Sequence, residues 1–373
     1  MRTKSTLAAG AGTLALAATL LTVPAQADDQ PPEPEVVAGG LVGPLTVAAG
    51  DDGDVYVTQT FANTLSKVDR NGEVTDVYTL EGGPETAELV GVAYSDGATY
   101  HIESDFSGEV PTSHIVRTKD GERTVVSDDL WAHEIANNPD RSQRYGVTNA
   151  RGTCLDQLTA FEETAGFPIV NYRGIVESHA YQLAVHDGTI YVADAAANAV
   201  LEVDESTGDI STVSVLPGKT IKFTAGLEEA LEGQLGGLDI PDCIVGKRFI
   251  AEPVPTDVQV GWLGGLYVST LGGSAGEVLP LSSVYWISPD AKHTFEVAGD
   301  LHGATGLDVT PDGTVVVAEL FGGRVSAIRH GENEAITLFE ADSPADVTVT
   351  DNALFASTGT FGEGGLVRWG YGD

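Results

Sequence analysis

The chain has 373 residues, with 55 acidic against 19 basic side chains and a formal net charge of −36 at pH 7. A surface this acidic lacks the basic footprint that nucleic acid or an anionic lipid surface demands, so both are excluded as partners. The length would ordinarily suggest two domains, but all-β repeat folds often run longer as one unit.

Met1–Ala27 holds Arg2 and Lys4, an apolar Ala/Leu run from Leu7 to Val23, and the small-residue pattern Ala25-Gln26-Ala27. These are the three parts of a cleaved secretory signal. The run is too short and too alanine-rich for a membrane span, and no second apolar stretch of about 18 residues follows. The expectation is an exported, soluble protein whose mature chain starts near Asp28 and works outside the cytoplasm. Residues 28–35, acidic and proline-rich, are expected to be a disordered leader.

From Val36 to Asp373 one theme recurs: a small or proline-bearing turn, an alternating apolar strand, a Gly/Asp turn, an apolar-aromatic strand, a polar turn and a third strand. Val55-Tyr56-Val57 leads through Phe61-Ala62-Asn63 to Leu65-Ser66-Lys67-Val68-Asp69. Ile190-Tyr191-Val192, Ala197-Asn198 and Val200-Leu201-Glu202-Val203-Asp204 repeat it at a constant offset of 135, and Val315-Val316-Val317 with Gly322-Gly323-Arg324 gives a third copy. An offset of three periods of about 45 residues is propeller spacing. The fold expected is all-β, a single six-bladed β-propeller of the NHL/TolB-like kind, with blades near 44–80, 88–128, 178–217, 254–299, 303–340 and 343–373. Val36-Val37 would supply the outer strand that closes the last blade. Asp51-Asp52-Gly53-Asp54 lacks the closing glutamate of a calcium loop and reads as a hairpin turn.

Two short, partly helical insertions break the period, about 129–177 and 219–253. Short helices are predicted at Leu130–Ala136, Leu155–Phe161 and Leu227–Leu231. Each insertion carries one of the two cysteines, Cys154 and Cys243. In an oxidising compartment the two are expected to pair, the alternative being two buried thiols. A bridge would staple both excursions over one face, and insertions on one face mark the working face of a repeat protein.

Three phrases are more specific than a generic repeat: Asp129-Leu130-Trp131-Ala132-His133-Glu134-Ile135-Ala136-Asn137-Asn138-Pro139-Asp140, then Val176-Glu177-Ser178-His179-Ala180-Tyr181, then Pro253-Val254-Pro255-Thr256-Asp257-Val258. Together they make the mature chain resemble the ScyD/ScyE family of exported propellers with NHL-like repeats. The family more often has Ser-Asn-Pro-Tyr where this chain has Ser178-His179-Ala180-Tyr181. The resemblance implies the fold and the exported location; it implies no reaction.

Residues at the turns before inner strands, or just after the Tyr-Val pairs, would face a central funnel. The candidates are Glu103, His179, Asp194, Asn198, Asp257, His302, Glu319 and Asp346. Glu319 and Asp257 are the carboxylates expected to ligate a divalent cation such as calcium if the funnel holds one, as in six-bladed lactonases of the gluconolactonase type. His179 and His302 could meet as acid/base or metal ligands, whereas Asp194 and Asn198 equally fit backbone-holding turns. Gly272-Gly273-Ser274-Ala275-Gly276 matches the nucleophile-elbow pattern, but no helix is predicted after it, so a glycine-rich loop is expected. The favoured reading is a non-catalytic, monomeric binding or scaffolding propeller at the cell exterior, recognising another protein or a small molecule through the funnel mouth and insertions. The alternative is a cation-dependent hydrolase.

Overall fold

A computed structural model describes residues 33–261 and 263–370. The expected signal segment, residues 28–32 of the leader and Trp262 lie outside them. Strand β1 (Glu35–Leu41) opens the described chain, beginning at the last residue of the expected leader. Next come β2 (Pro44–Ala49), β3 (Val55–Gln59), β4 (Thr64–Val68) and β5 (Val74–Thr79), then β6 (Ala87–Ser95), β7 (Ala98–Asp105), β8 (Thr112–Lys119) and β9 (Glu122–Val125).

The first insertion contains α1 (Leu130–Asn137), β10 (Arg144–Val147), α2 (Thr153–Ala165) and β11 (Tyr172–Arg173). A third meander follows: β12 (Ala180–His186), β13 (Thr189–Asp194), β14 (Ala199–Asp204) and β15 (Ile210–Val215). The second insertion contains β16 (Lys219–Lys222), α3 (Ala225–Gln234) and β17 (Arg248–Ala251). The fourth meander is β18 (Pro255–Val260), β19 (Leu266–Thr270), β20 (Ser282–Ile287) and β21 (Thr294–Leu301), with α4 (Gly273–Val278) between its second and third strands. The fifth is β22 (Ala304–Val309), β23 (Val315–Glu319), β24 (Arg324–Ile328) and β25 (Ala335–Glu340), and β26 (Val347–Val349), β27 (Ala353–Thr358) and β28 (Gly364–Gly370) end the described chain.

The strands form seven four-stranded antiparallel sheets, the architecture of a β-propeller. Six fall on the six copies legible in the sequence. Their first strands touch in a closed cycle: β2 packs on β6, β6 on β12, β12 on β18, β18 on β22, β22 on β26 and β26 on β2. The sixth sheet has the order β1-β28-β27-β26, so the N-terminal strand completes the C-terminal sheet as Val36-Val37 suggested. Alternating residues explain the strands: in β3, β13 and β23 the central valines Val57, Val192 and Val317 are wholly buried between sheets. Asn63, Asn198 and Gly323 occupy equivalent turns with φ of 49°, 56° and 65°, a conformation that Asn and Gly tolerate best.

The seventh sheet was not foreseen. Its order is β11-β10-β17-β16, so it joins a strand pair from each insertion edge to edge. Strands of two to four residues are too short to show a period of two, and the pairing of β10 with β17 that joins their two halves crosses from one insertion to the other. The predicted helices are all present as α1, α2 and α3. Asp129 caps α1 by accepting from Trp131 N–H, and Thr224 caps α3 by accepting from Leu227 N–H. Leu158, Phe161, Phe223, Leu227, Ile240 and Ile244 pack into one core for this lobe. The Cys154–Cys243 disulfide joins α2 to the turn after α3. Both insertions leave a fourth strand and return to a first strand, so they stand at the same end of the ring.

Candidate functional site

Each first strand reaches the axis through the same device. A register shift falls between Pro44 and Thr46 in β2, Val90 and Val92 in β6, Ala180 and Gln182 in β12, Pro255 and Asp257 in β18, and Ala304 and Gly306 in β22. Asp346, just before β26, holds the matching place. Such bulges re-aim a side chain, and the aimed residues take up the backbone of a neighbouring sheet. Asp346 Oδ2 accepts from Val47 N–H at 2.8 Å, Gln182 Oε1 from Val92 N–H at 2.8 Å, and Asp257 Oδ2 from Leu307 N–H at 2.7 Å. Each large polar residue therefore reaches over a small one on a neighbouring sheet: Asp346 over Thr46, Gln182 over Gly91 and Asp257 over Gly306. Gly306 is obligatory among them, since a Cβ there would lie 2.1 Å from Asp346 Oδ1.

Gln182 Nε2 donates to Asp346 Oδ2 at 3.0 Å, and sheets three and six stand opposite each other in the cycle, so this bond spans the axis. Burial pushes the Asp257 carboxyl well above the carboxylate range, and the charge of Asp346 raises it further. Asp346 is raised by burial too, with Asp308 adding to it. Asp308 is itself pushed up to about 6 by burial. The axis is thus a protonatable, fully hydrogen-bonded seam. It brings Asp257 and Asp346 together.

The other candidates are structural neighbours of the rim. Asp194 Oδ1 accepts from His179 N–H at 2.8 Å and its Oδ2 from Ser178 Oγ at 2.6 Å. Glu319 repeats this, its Oε2 accepting from His302 N–H at 2.9 Å, and both its oxygens are taken up by Arg324, with Nε–Oε1 at 2.7 Å and Nη2–Oε2 at 2.8 Å. Glu319 is not directed at Asp257 in any contact. Among the described residues no group of three or more His, Cys, Asp or Glu side chains is placed to hold a metal ion. The two histidines are occupied separately: His179 Nε2 bonds Glu88 at 2.7 Å, and His302 Nε2 donates to the Glu277 carbonyl at 3.1 Å. Glu103 pairs with Arg123 on the outer strand β9 and with His101, away from the axis. Asn198 ties sheets together, donating to Asp140 Oδ2 at 2.9 Å and accepting from Val254 N–H at 3.1 Å.

The insertion lobe supplies what the axis lacks. A cavity of about 260 Å³ opens between the lobe and α4, with walls that include Phe161, Phe167, Phe223, Phe249 and Leu231. Its polar edge is Glu252 with Tyr172. Burial pushes Glu252 up to about 7; the Tyr172 hydroxyl opposes the rise, and the charges of Asp140 and Glu177 add to it. Next to this edge the first insertion buries Glu134 and Asp140, each 1% exposed. Burial takes Glu134 up to about 7, with the charges of Asp194 and Asp140 adding, and the Glu177 N–H pointing at it from outside bonding geometry. No residue of this group was singled out from the sequence. Asp140 closes a phrase quoted above, but nothing in the phrase says its side chain is buried.

Ser274 requires a correction. A helix does follow β19: the left-handed Gly272 turn, at φ 87°, starts α4, which the downstream Pro280 had argued against. The strand–turn–helix context exists, but Ser274 lies inside the helix rather than on the turn, and no described histidine or carboxylate hydrogen-bonds its hydroxyl. A second, more open groove of about 450 Å³ lies at the opposite end of the fourth sheet, beside Tyr267, Trp286 and Phe295. Of its two carboxylates, Glu296 and Glu332, the first is paired with Lys219.

No family model matches the sequence, and no curated protein does either. Solved structures of propeller proteins do match. An oxidoreductase of Thermus thermophilus, described as a glucose dehydrogenase, is 15% identical, with TM-score 0.52, over 90% of this chain and 99% of that one. The PQQ-bound aldose sugar dehydrogenase of Streptomyces coelicolor is 15% identical, with TM-score 0.51, over 91% and 99%. Virginiamycin B lyase of Staphylococcus aureus is 13% identical, with TM-score 0.48, over 90% and 98%. Identities this low establish the β-propeller fold and nothing about chemistry.

Proposed function

We propose that the protein is an exported, six-bladed, ScyD/ScyE-like binding propeller that captures a small, largely apolar ligand in the insertion lobe. The observation that carries this reading is the aromatic-walled cavity between α2, α3 and α4, with the ionisable groups Glu252, Tyr172 and Glu177 in its lining. Apolar walls with a few convergent polar groups are the usual make-up of a ligand pocket. At about 260 Å³ the cavity suits a compact molecule, and Glu252 favours one that carries a hydrogen-bond donor or an amine. Export is supported by the composition of Met1–Ala27 and by the disulfide, which belongs in an oxidising compartment. The hydrolase alternative has less behind it, since Glu319 is spent on Arg324 and the axial acids are spent on backbone N–H groups.

The test is fluorescence titration with N-phenyl-1-naphthylamine, a neutral aromatic amine. Wild type is expected to bind it saturably, and Ser274→Trp, which fills the cavity mouth from an exposed position, to weaken binding by about tenfold or more. Equal binding by both proteins, or none by wild type, would sink the reading.

A further inference from the structure

The C-terminal turn of α1 gathers buried oxygen acceptors that nothing satisfies. Asn138 takes the left-handed conformation, φ 37°, and its N–H donates to the Glu134 carbonyl at 2.7 Å, which folds the chain back so that Glu134, Asn138 and Asp140 belong to one turn. The nearby donors are already committed. Tyr145 Oη and Asn198 Nδ2 both donate to Asp140 Oδ2, at 3.1 and 2.9 Å, and Asn138 Nδ2 donates to the Gly174 carbonyl at 3.2 Å. Left over are Glu134 Oε1 and Oε2, Asn138 Oδ1 and Asp140 Oδ1, all buried and without a hydrogen-bond partner. Four orphaned acceptors on seven residues contrast with a fold whose other buried acids are nearly all bonded, and buried polar groups without partners are costly.

The charge is as lopsided as the hydrogen bonding. Glu134, Asp140 and the adjacent Asp194 are carboxyl groups, and no lysine or arginine pairs with any of them among the described residues. Arg141, the closest in sequence, turns its Nη1 to the Asn137 and Asn138 carbonyls. The Gly174 backbone packs directly on Asp140, since a Cβ there would lie 1.8 Å from Oδ1. A buried turn whose carboxylate and amide oxygens outnumber the donors that reach them is what a hard divalent cation takes, and calcium accepts the irregular geometry.

We propose that Glu134, Asn138 and Asp140 form a calcium site that pins the first insertion to the third sheet. The site stands apart from the axial residues and does not depend on the apolar cavity. Asn198, through Asp140, would connect the bound ion to the turn between β13 and β14.

The test uses the chelator-treated mature protein with two readouts: terbium luminescence excited through tyrosine, because the Tyr145 hydroxyl sits on Asp140, and thermal melts with calcium chloride. Wild type should take up one terbium ion, displaced by calcium, and melt several degrees higher with calcium. Glu134→Gln should lose affinity by about tenfold or more and Asn138→Ala by less, while the exposed Asp351→Asn keeps wild-type behaviour. Glu134→Gln also removes a buried charge, so it should melt no lower than wild type without calcium, which separates lost binding from lost folding. The proposal is overturned if Glu134→Gln binds as wild type does, which would mean diffuse attraction to an acidic surface, or if wild type neither binds terbium nor responds to calcium.

Discussion

Buried carboxyls set how this protein responds to acid. Asp308 in the axial seam is pushed up to about 6 and Glu252 at the cavity edge to about 7, both by burial. In the unfolded chain the same groups titrate at their ordinary values of 3.8 and 4.5, so the folded state binds extra protons between about pH 4 and 7. The stability they contribute is full below about pH 4 and is lost as pH rises through 6 and 7. Urea unfolding without divalent cations is therefore expected to show higher stability at pH 5 than at pH 8. Glu252→Gln should flatten that slope by on the order of 2 kcal/mol, after allowing for the partial exposure of Glu252; an unchanged slope would refute the assignment. At this scale the sequence was only partly legible. The repeat placed Asp194, Asn198 and Glu319 at the ends and turns of inner strands. It could not show that Arg324 occupies Glu319, that His179 faces Glu88, or that Glu134 and Asp140 are enclosed, because each fact depends on contacts between copies.

Elements were readable where they were long enough to show a period. Helices α1, α2 and α3 show apolar residues on one face, and Asp129 and Thr224 start two of them with side-chain caps. β10 and β11, with four residues and two, have no pattern to read, and neither strand pairs within a meander. α4, with six residues, was missed for the same reason and because Pro280 follows it closely. The lobe these elements build depends on its cross-link. Cys154 and Cys243 are separated by 89 positions, and closing a loop of that size restricts the unfolded chain by up to about 4 kcal/mol. Cys154→Ser with Cys243→Ser should lower the melting temperature and, under limited proteolysis, expose cuts in 149–171 and 223–247 before any in the six sheets of the ring. Simultaneous cleavage everywhere would show that lobe and ring unfold as one.

The whole molecule depends on one seam. β1 reaches back to pair with β28 from Glu35↔Arg368 to Leu41↔Gly364, so the two ends of the ring are joined by hydrogen bonds between distant parts of the chain. Removing residues 28–41 would leave the edge of β28 unpaired, and open edges recruit other chains. Such a deletion is expected to sediment as concentration-dependent oligomers, whereas the intact chain should not; a monomeric, fully folded deletion would mean the seam is dispensable. This level of organisation was the most legible, because an offset of 135 between two copies survives any local irregularity. The seventh sheet escaped the same logic because it belongs to no copy. It also gives the chain a buckle. β10 and β17, with the disulfide beside them, close a loop of chain that contains all of β12–β15, so the third sheet is tied to the lobe at both of its ends. The cavity walls run from Phe161 to Ala275, so a folding chain has no pocket until its fourth sheet has docked, and nothing can occupy it earlier.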